Sequence, residues 1–561
     1  MIWLWVLVLT IPLSDQPVWE SVSGFYSTGG GFADMNGDGY PDLFVANGND
    51  MAAQPNHVFV NDGGTLQFLP TWVSQDLQYS GHLAVGDLNQ DGWPDLVVAN
   101  YSGYTVGWPP QLSVVYLNEG GTLSPTPSWV PADSFRSFSC ALGDYDNDGD
   151  LDVVFAAGER YSQHPDVLRL YRNLTQEPDS GLLTSIPVWT SAQAYYAYDV
   201  TFADLNRDGW LDLVVAVDGG RNMVFLNEQG SFPTTPSWTS ADTYGTIQIA
   251  VADVDRDGWP DLAAADNGQL GGISRFRLYR NVQGTLEAQA SWVSEEPRTY
   301  CSTVAFADLN ADGYPELAGG GWWEPVVVYE NLQGDLFPVA SWSYLTPNSN
   351  NLVCEHITFA DVDLHALVTV EETLEIWAGR PAFGAWPLRH FPVHSVLEVL
   401  AQNVQTGVWD TLSPSQWTLL VESGWITIAD PGYPVSMYRI RYQSSMAVDL
   451  LVTNWAPGAG NFLFENTLVA VEERRGTDRP NPREPVVFPN PTPGPLSILT
   501  HEDLRQIEVL DRVGRIVPVI MGSFKKGNVH VTLPKDLPQG IYILRIHTPT
   551  KTYRLPVILL R

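Results

Sequence analysis

Short apolar runs of strand length recur along residues 15–380, each entered from a polar, acidic loop. Leu151-Asp152-Val153-Val154-Phe155-Ala156 reads as a buried strand, because a run this continuous leaves no polar face for water. In the second such unit His82–Gly86 predicts an inner strand, Asp95–Ala99 a second, Ser113–Leu117 a third, and Trp129 lies on a fourth. A tryptophan holds that fourth-strand phase throughout, at Trp19, Trp72, Trp129, Trp189, Trp238, Trp292 and Trp342. One shared phase argues for packing between neighbouring units. Over 381–470 the strand pattern persists without acidic loops, as in Trp417-Thr-Leu-Leu-Val and Met437-Tyr-Arg-Ile-Arg-Tyr, and predicts a small all-β accessory module, a sandwich. Residues 471–485 read as a polar, proline-containing linker before a last all-β region, 486–561.

The acidic loops share one spacing. In Asp144-Tyr-Asp146-Asn-Asp148-Gly-Asp150-Leu-Asp152 the first, third, fifth and ninth side chains offer oxygen, the sixth residue is glycine, and the seventh can add a backbone carbonyl. Calcium takes six to eight such oxygens, so the pattern is a hard-cation site. Without a cation the carboxylates repel, by ~4 kcal/mol for a pair 4 Å apart at an effective dielectric near 20. An EF-hand is excluded, because its twelfth position would be Phe155, inside a strand. The spacing recurs at Asp34, Asn36, Asp38, Tyr40 and Asp42; at Asp87, Asn89, Asp91, Trp93 and Asp95; and at Asp204, Asn206, Asp208, Trp210 and Asp212. Two further copies are Asp253, Asp255, Asp257, Trp259 and Asp261, then Asp308, Asn310, Asp312, Tyr314 and Glu316. A seventh copy starts at Asp361 and Asp363 but has His365 fifth and Thr369 ninth, so a unit without calcium is expected there. About six calcium sites follow.

First ligands lie 53, 57, 60, 49, 55 and 53 residues apart. A period of this size with four short strands per unit predicts a β-propeller. Seven tryptophans against seven loops give seven blades, with the strand at Trp19 completing the last one.

Composition narrows the partners. There are 64 acidic and 29 basic residues, net −35, and no lysine precedes Lys525. So acidic a body is a poor match for nucleic acid or anionic membrane. Three cysteines, Cys140, Cys301 and Cys354, make no disulfide framework; a Cys301–Cys354 bridge between neighbouring blades and two buried thiols both remain open. Residues 2–11 are an apolar run too short to span a bilayer, expected to belong to an export signal over 1–14.

The repeated Phe-Ala-Asp-x-Asn-x-Asp-Gly-x-x-Asp-Leu pattern resembles the FG-GAP/VCBS repeats, the propeller type also found in integrin alpha-chain heads. The resemblance implies calcium at the first, third, fifth and ninth side chains and the seventh carbonyl of each intact loop. From Val486 the ordered set Val487-Phe488-Pro489-Asn490-Pro491, Ile507–Arg515 and Leu537–Ile546 resembles a type IX secretion C-terminal sorting domain. That implies a Gram-negative cell, the type IX machinery as partner, and delivery to the surface or the medium; beyond residues 2–11 no stretch reads as transmembrane, so none is expected in the mature protein.

With calcium loops on one face, the loops joining second to third strands share the other. They carry Tyr101, Tyr104 and Trp108, then Arg160, Tyr161 and His164, then Trp322 and Trp323. Rings beside polar groups suit sugars or peptides, so this face is the candidate surface for an extracellular glycan or protein; loops that simply pack on one another are the alternative. No Gly-x-Ser-x-Gly, His-Glu-x-x-His or phosphate loop occurs, and no catalytic residue is assigned. The expectation is an exported binding or adhesion protein, with a structural surface protein or a carbohydrate-active enzyme using acids such as Glu159 or Glu324 as alternatives.

Overall fold

The computed structural model describes residues 11–103, 109–177, 181–376 and 380–468 in full and, from 486 on, the strands alone. Residues 11–470 form one compact unit, and the strands from 486 belong to a second. Among the described residues there is no α-helix, and the strands pair antiparallel. Among the described residues no helix is long and apolar enough to cross a membrane.

Seven sheets in the first unit share one plan. In sheet one Ser27–Ala33 pairs with Asp42–Asn49, which pairs with His57–Phe59 and then Trp72–Val73. The first strands of sheets two to six are Ser80–Gly86, Ser137–Gly143, Ala197–Ala203, Thr246–Ala252 and Cys301–Ala307. Sheet seven runs Cys354–Ala360, Asp449–Asn454, Phe462–Phe464 and finally Trp19–Glu20, so the strand at Trp19 does complete the last sheet. The first strands pack in sequence order, and the seventh packs on the first. All seven line one cavity of about 230 Å³, to which Phe32, His82, Cys140, Val200, Ile249, Val304 and His356 contribute.

Two contacts repeat at every junction. Each fourth-strand tryptophan stands edge-on to a third-strand ring of the next sheet: Trp72 to Tyr116, Trp129 to Tyr171, Trp189 to Phe225, Trp238 to Tyr279, Trp292 to Tyr329, Trp342 to Phe464, and across the closure Trp19 to Phe59. Such edge contacts contribute about 0.5–1.5 kcal/mol each beyond buried area. The second contact is a buried asparagine. Asn118 Nδ2 donates to the Met35 carbonyl of the preceding sheet, and the same bond joins Asn173 to Leu88, Asn227 to Tyr145, Asn281 to Leu205, Asn331 to Val254, Asn466 to Leu309 and Asn61 to Val362, at 2.8–2.9 Å. An amide suits this place because it both donates and accepts; Asn61 Oδ1 takes the Gly64 N–H while Nδ2 serves two carbonyls.

The region after residue 380 departs from expectation. Sheet seven leaves its first strand at Ala360 and resumes at Asp449, so the accessory module is an insertion between these strands, and the boundary expected at 380/381 cuts through it. The last residues of the expected module, 449–464, belong to the ring. Within the insertion Leu367–Glu375, Val435–Ser445, Val393–Asn403 and Trp409–Thr411 make one sheet, and Gly384–Pro387, Trp425–Ile428 and Trp417–Leu420 a second. Trp386, Val399, Ile426, Ile428, Ile440 and Tyr442 form their shared core. The hairpin turn at 421–424 lies in the cavity that the seven first strands line, where Glu422 accepts the Thr358 hydroxyl at 2.9 Å and Trp425 joins the core around Phe202.

One other expectation, the leader over 1–14, needs correction. Ile11 and Leu13 are buried in the core of sheet seven, and Ser14 N–H donates to the Glu465 carbonyl, so a leader ending at residue 14 would remove part of that core. Residues 1–10 lie outside the described residues. The three cysteines are buried and free, without a Cys301–Cys354 bridge.

Beyond 486 the strands form two four-stranded sheets. Val486–Phe488, Pro495–Thr500, Gly527–Thr532 and Ile520–Met521 make one; Ile516–Val517, Gln506–Leu510, Gly540–His547 and Thr552–Leu559 make the other. The 471–485 linker lies outside the described residues.

Candidate metal sites and the opposite face

Every acidic loop joins the first strand of a sheet to its second, and its ninth residue opens that second strand. The ninth carboxylate is buried and fixed by two amides. One oxygen of Asp42, Asp95, Asp152, Asp212, Asp261 and Glu316 accepts the N–H of the loop's second residue, and the other accepts the N–H of the stitching asparagine, from Asn61 through Asn331. The first carboxylate accepts the sixth residue's N–H, as Gly39 to Asp34 at 2.8 Å and Gly313 to Asp308 at 2.8 Å. The fifth accepts from the seventh, as Tyr40 to Asp38, Trp93 to Asp91 and Trp259 to Asp257, each 2.9 Å. The turn this requires places the sixth residue at positive φ, 90° at Gly39 and 97° at Gly149, where only glycine is unstrained.

These bonds leave oxygens over. Asp146 Oδ1, Asp253 Oδ1, Asp308 Oδ1 and both oxygens of Asp150 are buried without a hydrogen-bond partner. Ligand atoms of Asp144, Asp146 and Asp148, and of Asp253, Asp255 and Asp257, lie within 4.8 Å of one another. Burial, and then the neighbouring Asp148, pushes Asp150 up to about 8. Asp95 is raised to about 7 by burial, with Asp87 and Asp91 adding to it. Converging, unpaired carboxylate oxygens of this kind fit a hard divalent cation. Loops four and five differ by bringing a cation of their own. Arg380, from the insertion, reaches Asp204 Oδ2 at 3.1 Å with both side chains almost fully buried. Arg280 lies 2.8 Å from Asp261 and 3.5 Å from Asp255.

A family model described as FG-GAP-like repeat matches residues 34–98, 87–155, 204–264 and 253–319. The chain carries FG-GAP-like repeats. A second family model, the secretion system C-terminal sorting domain, matches residues 486–559 and marks the protein for type IX secretion to the cell surface or extracellular space. No curated protein matches the chain. FG-GAP-like repeats commonly bind calcium and fit a β-propeller.

The last repeat, beyond those matches, is the interrupted one. Thr369 is not its ninth position. Asp449 is: its Oδ2 accepts the Val362 N–H at 3.0 Å and its Oδ1 the Asn466 N–H at 2.7 Å, as in every other repeat. Sequence spacing could not find this partner, because the whole insertion stands in between. The stitching asparagines were also missed, although an Asn 15–23 residues after each ninth acid was their signal.

On the opposite face the expected ligand residues separate. Tyr101 is buried against Phe138 and is core. Tyr104 and Trp108 lie outside the described residues. Arg160 pairs with Asp218, the Tyr161 hydroxyl donates to Gln269, and exposed His164 faces the Ser162 hydroxyl, so this group ties loops together. Trp322 and Trp323 belong to a row of rings. Trp322 stacks on Trp455 at 6.2 Å, Trp455 meets Tyr26 at 6.1 Å, and Tyr300 stands against Trp322 at 6.0 Å and Trp323 at 5.8 Å. Trp323 is 42 % exposed. Trp455 was hidden from sequence reasoning inside the stretch assigned to the accessory module. Glu159 and Glu324 are on different sheets with separate partners, Tyr161 N–H and Thr299 N–H.

Proposed function

We propose that the seven sheets are the blades of a closed propeller, that its six intact acidic loops each hold one Ca²⁺, and that the exported protein is a binding or adhesion module for an extracellular glycan or protein. The carrying observation is the row Tyr26, Trp455, Trp322, Tyr300 and Trp323, which presents flat apolar faces at one end of the ring beside Glu324 and Arg298. Aromatic faces next to hydrogen-bonding groups suit sugar rings. In each intact loop the first, third, fifth and ninth side chains and the seventh carbonyl would hold the ion, which fixes the loop and so the two strands it joins. No catalytic step is proposed.

A glycan array probed with the secreted protein tests this reading. Retention of a polysaccharide that drops at least tenfold in Trp323→Ala, with an unchanged melting temperature, is the expected result. Appearance of new reducing or unsaturated ends would make the protein an enzyme, and no retention of any glycan or surface protein would leave a structural role.

A further inference from the structure

The seventh loop departs from the others in sequence but keeps their backbone. Its fourth residue, Leu364, has φ 57°, matching 57° at Asn147, 59° at Arg207 and 56° at Ala311 in the same position. Left-handed backbone costs a residue with a Cβ roughly 1–2 kcal/mol, so this turn is imposed by the surrounding fold. Positions one, three and five therefore face inward as elsewhere, with an imidazole standing where the fifth carboxylate would be.

Asp361, Asp363 and His365 each bring a ligand atom within 4.8 Å of the others. The Asp361 side chain is 3 % exposed. Its Oδ2 accepts the Ser445 hydroxyl at 2.6 Å, whereas Oδ1 is buried, has no hydrogen-bond partner and lies 3.6 Å from His365 Nδ1. On the far side of the ring, His365 Nε2 sits 3.2 Å from the Leu468 carbonyl. A carbonyl can only accept, so Nε2 carries a proton, and Nδ1 faces the two carboxylates as a second N–H in the charged ring and as a lone pair in the neutral one. That lone pair is aimed at Asp363 Oδ1 and Asp361 Oδ1. In the neutral ring three electron-rich atoms converge, and a metal ion can take the place that the Nδ1 proton fills in the charged ring. An Nε2–H held by a carbonyl is also the way metal-binding imidazoles are oriented. The His365 and Asp363 side chains are 31 % and 38 % exposed, which leaves an entry path.

The geometry points to a seventh metal site of a different class, in which Asp361 Oδ1, Asp363 Oδ1 and His365 Nδ1 bind a divalent first-row transition ion such as Zn²⁺, with water completing its shell. Calcium wants six or more oxygens, and this loop offers two carboxylates and a nitrogen. Imidazole with carboxylates suits zinc, cobalt or manganese at bond lengths of about 2.0–2.2 Å. The site stands on its own atoms and does not depend on calcium filling the other six loops.

The test uses the full chain in excess calcium, titrated with Co²⁺ and then Zn²⁺. One equivalent of Co²⁺ with a visible d–d band, displaced by zinc but not by calcium, is expected. His365→Ala should lose that band and weaken binding by more than the 10–100-fold that follows loss of an outer partner, with an unchanged circular dichroism spectrum. His365→Asp, which restores the fifth carboxylate, should lose the cobalt equivalent and gain a calcium one. Cobalt binding equal in wild type and His365→Ala would overturn the proposal. So would a wild type without a His365-dependent band, which would leave a proton as the cation between these groups.

Discussion

Carboxylates gather at both ends of the ring, under opposite electrostatic conditions. At the acidic-loop end they stand side by side within one turn, as Asp144, Asp146 and Asp148 do, where burial first and then the neighbouring carboxylates raise Asp144 and Asp146. At the other end Asp218 and Glu324 are paired with arginines, and two further acids are held beside a neutral donor. Glu159 takes the Tyr161 N–H at 2.7 Å and Glu355 the Trp322 indole N–H. Burial raises Glu159 to about 7 and Glu355 to about 8. Repulsion between clustered charges is relieved by a second charge of opposite sign, whereas the cost of burying one isolated charge is avoided by a proton. The first end is therefore built for cations, and shows it in three forms: empty-handed oxygens in loop three, Arg380 in loop four and His365 in loop seven. The second end keeps Glu159 and Glu355 neutral under a surface of rings.

Calcium removal probes this contrast most strongly. An ion bound only by the folded chain stabilises it by RT ln(1 + [Ca²⁺]/Kd), ~1.4 kcal/mol per site at about 10 mM calcium and a 1 mM Kd. Six loops give ~8 kcal/mol on the same basis. Urea unfolding in calcium and in EDTA should differ by an amount of this order, and Asp144→Asn should remove one site's share. Coincident curves would mean that the loops are stabilised by their amide bonds alone.

A smaller effect separates loop four from loop three. Arg380→Ala leaves Asp204 buried beside Asp208 without its counter-charge, which costs about 3–5 kcal/mol in chelator. The same change also loses Arg380 packing over Trp386 at 4.4 Å, a loss that calcium cannot repair. The electrostatic part should shrink once calcium is added, because the vacated loop is then free of a competing cation. An equal cost with and without calcium would show that loop four never takes an ion.

The acidic loops and the tryptophan phase were legible in sequence because each is local: nine residues carry a whole loop, and one repeated ring marks each fourth strand. That the strand at Trp19 joins the last sheet followed from counting. What failed was non-local. Asp449 completes a loop begun at Asp361 across the full insertion, and the break in period made ring strands 449–464 look like part of another module. The asparagine stitch was visible as a repeat, yet its meaning lies in a carbonyl of the preceding sheet. On the variable face aromatic residues gave no sign of which would be covered, so Tyr101 was assigned to the surface although it is core, while Trp455 went unnoticed.

The most gradual predicted effect concerns the neutral end. Glu355 is raised from the ordinary carboxylate range to about 8, chiefly by burial, with Asp50 adding and the Trp322 N–H opposing. Between pH 4.5 and 8 the folded chain then holds a proton that the unfolded chain has lost, so stability falls as pH rises, by up to about 1.4 kcal/mol per pH unit, and levels off above 8. Glu355→Gln keeps the acceptor for Trp322 but cannot ionise. Its stability relative to wild type should therefore grow from pH 5 to pH 8. Saturating calcium keeps the loop carboxylates ionised during the measurement, and Glu159, which titrates with the same sign, cancels in the comparison. A constant difference across that range would mean that Glu355 is ionised in the folded protein, and that the aromatic end carries charge as the loop end does.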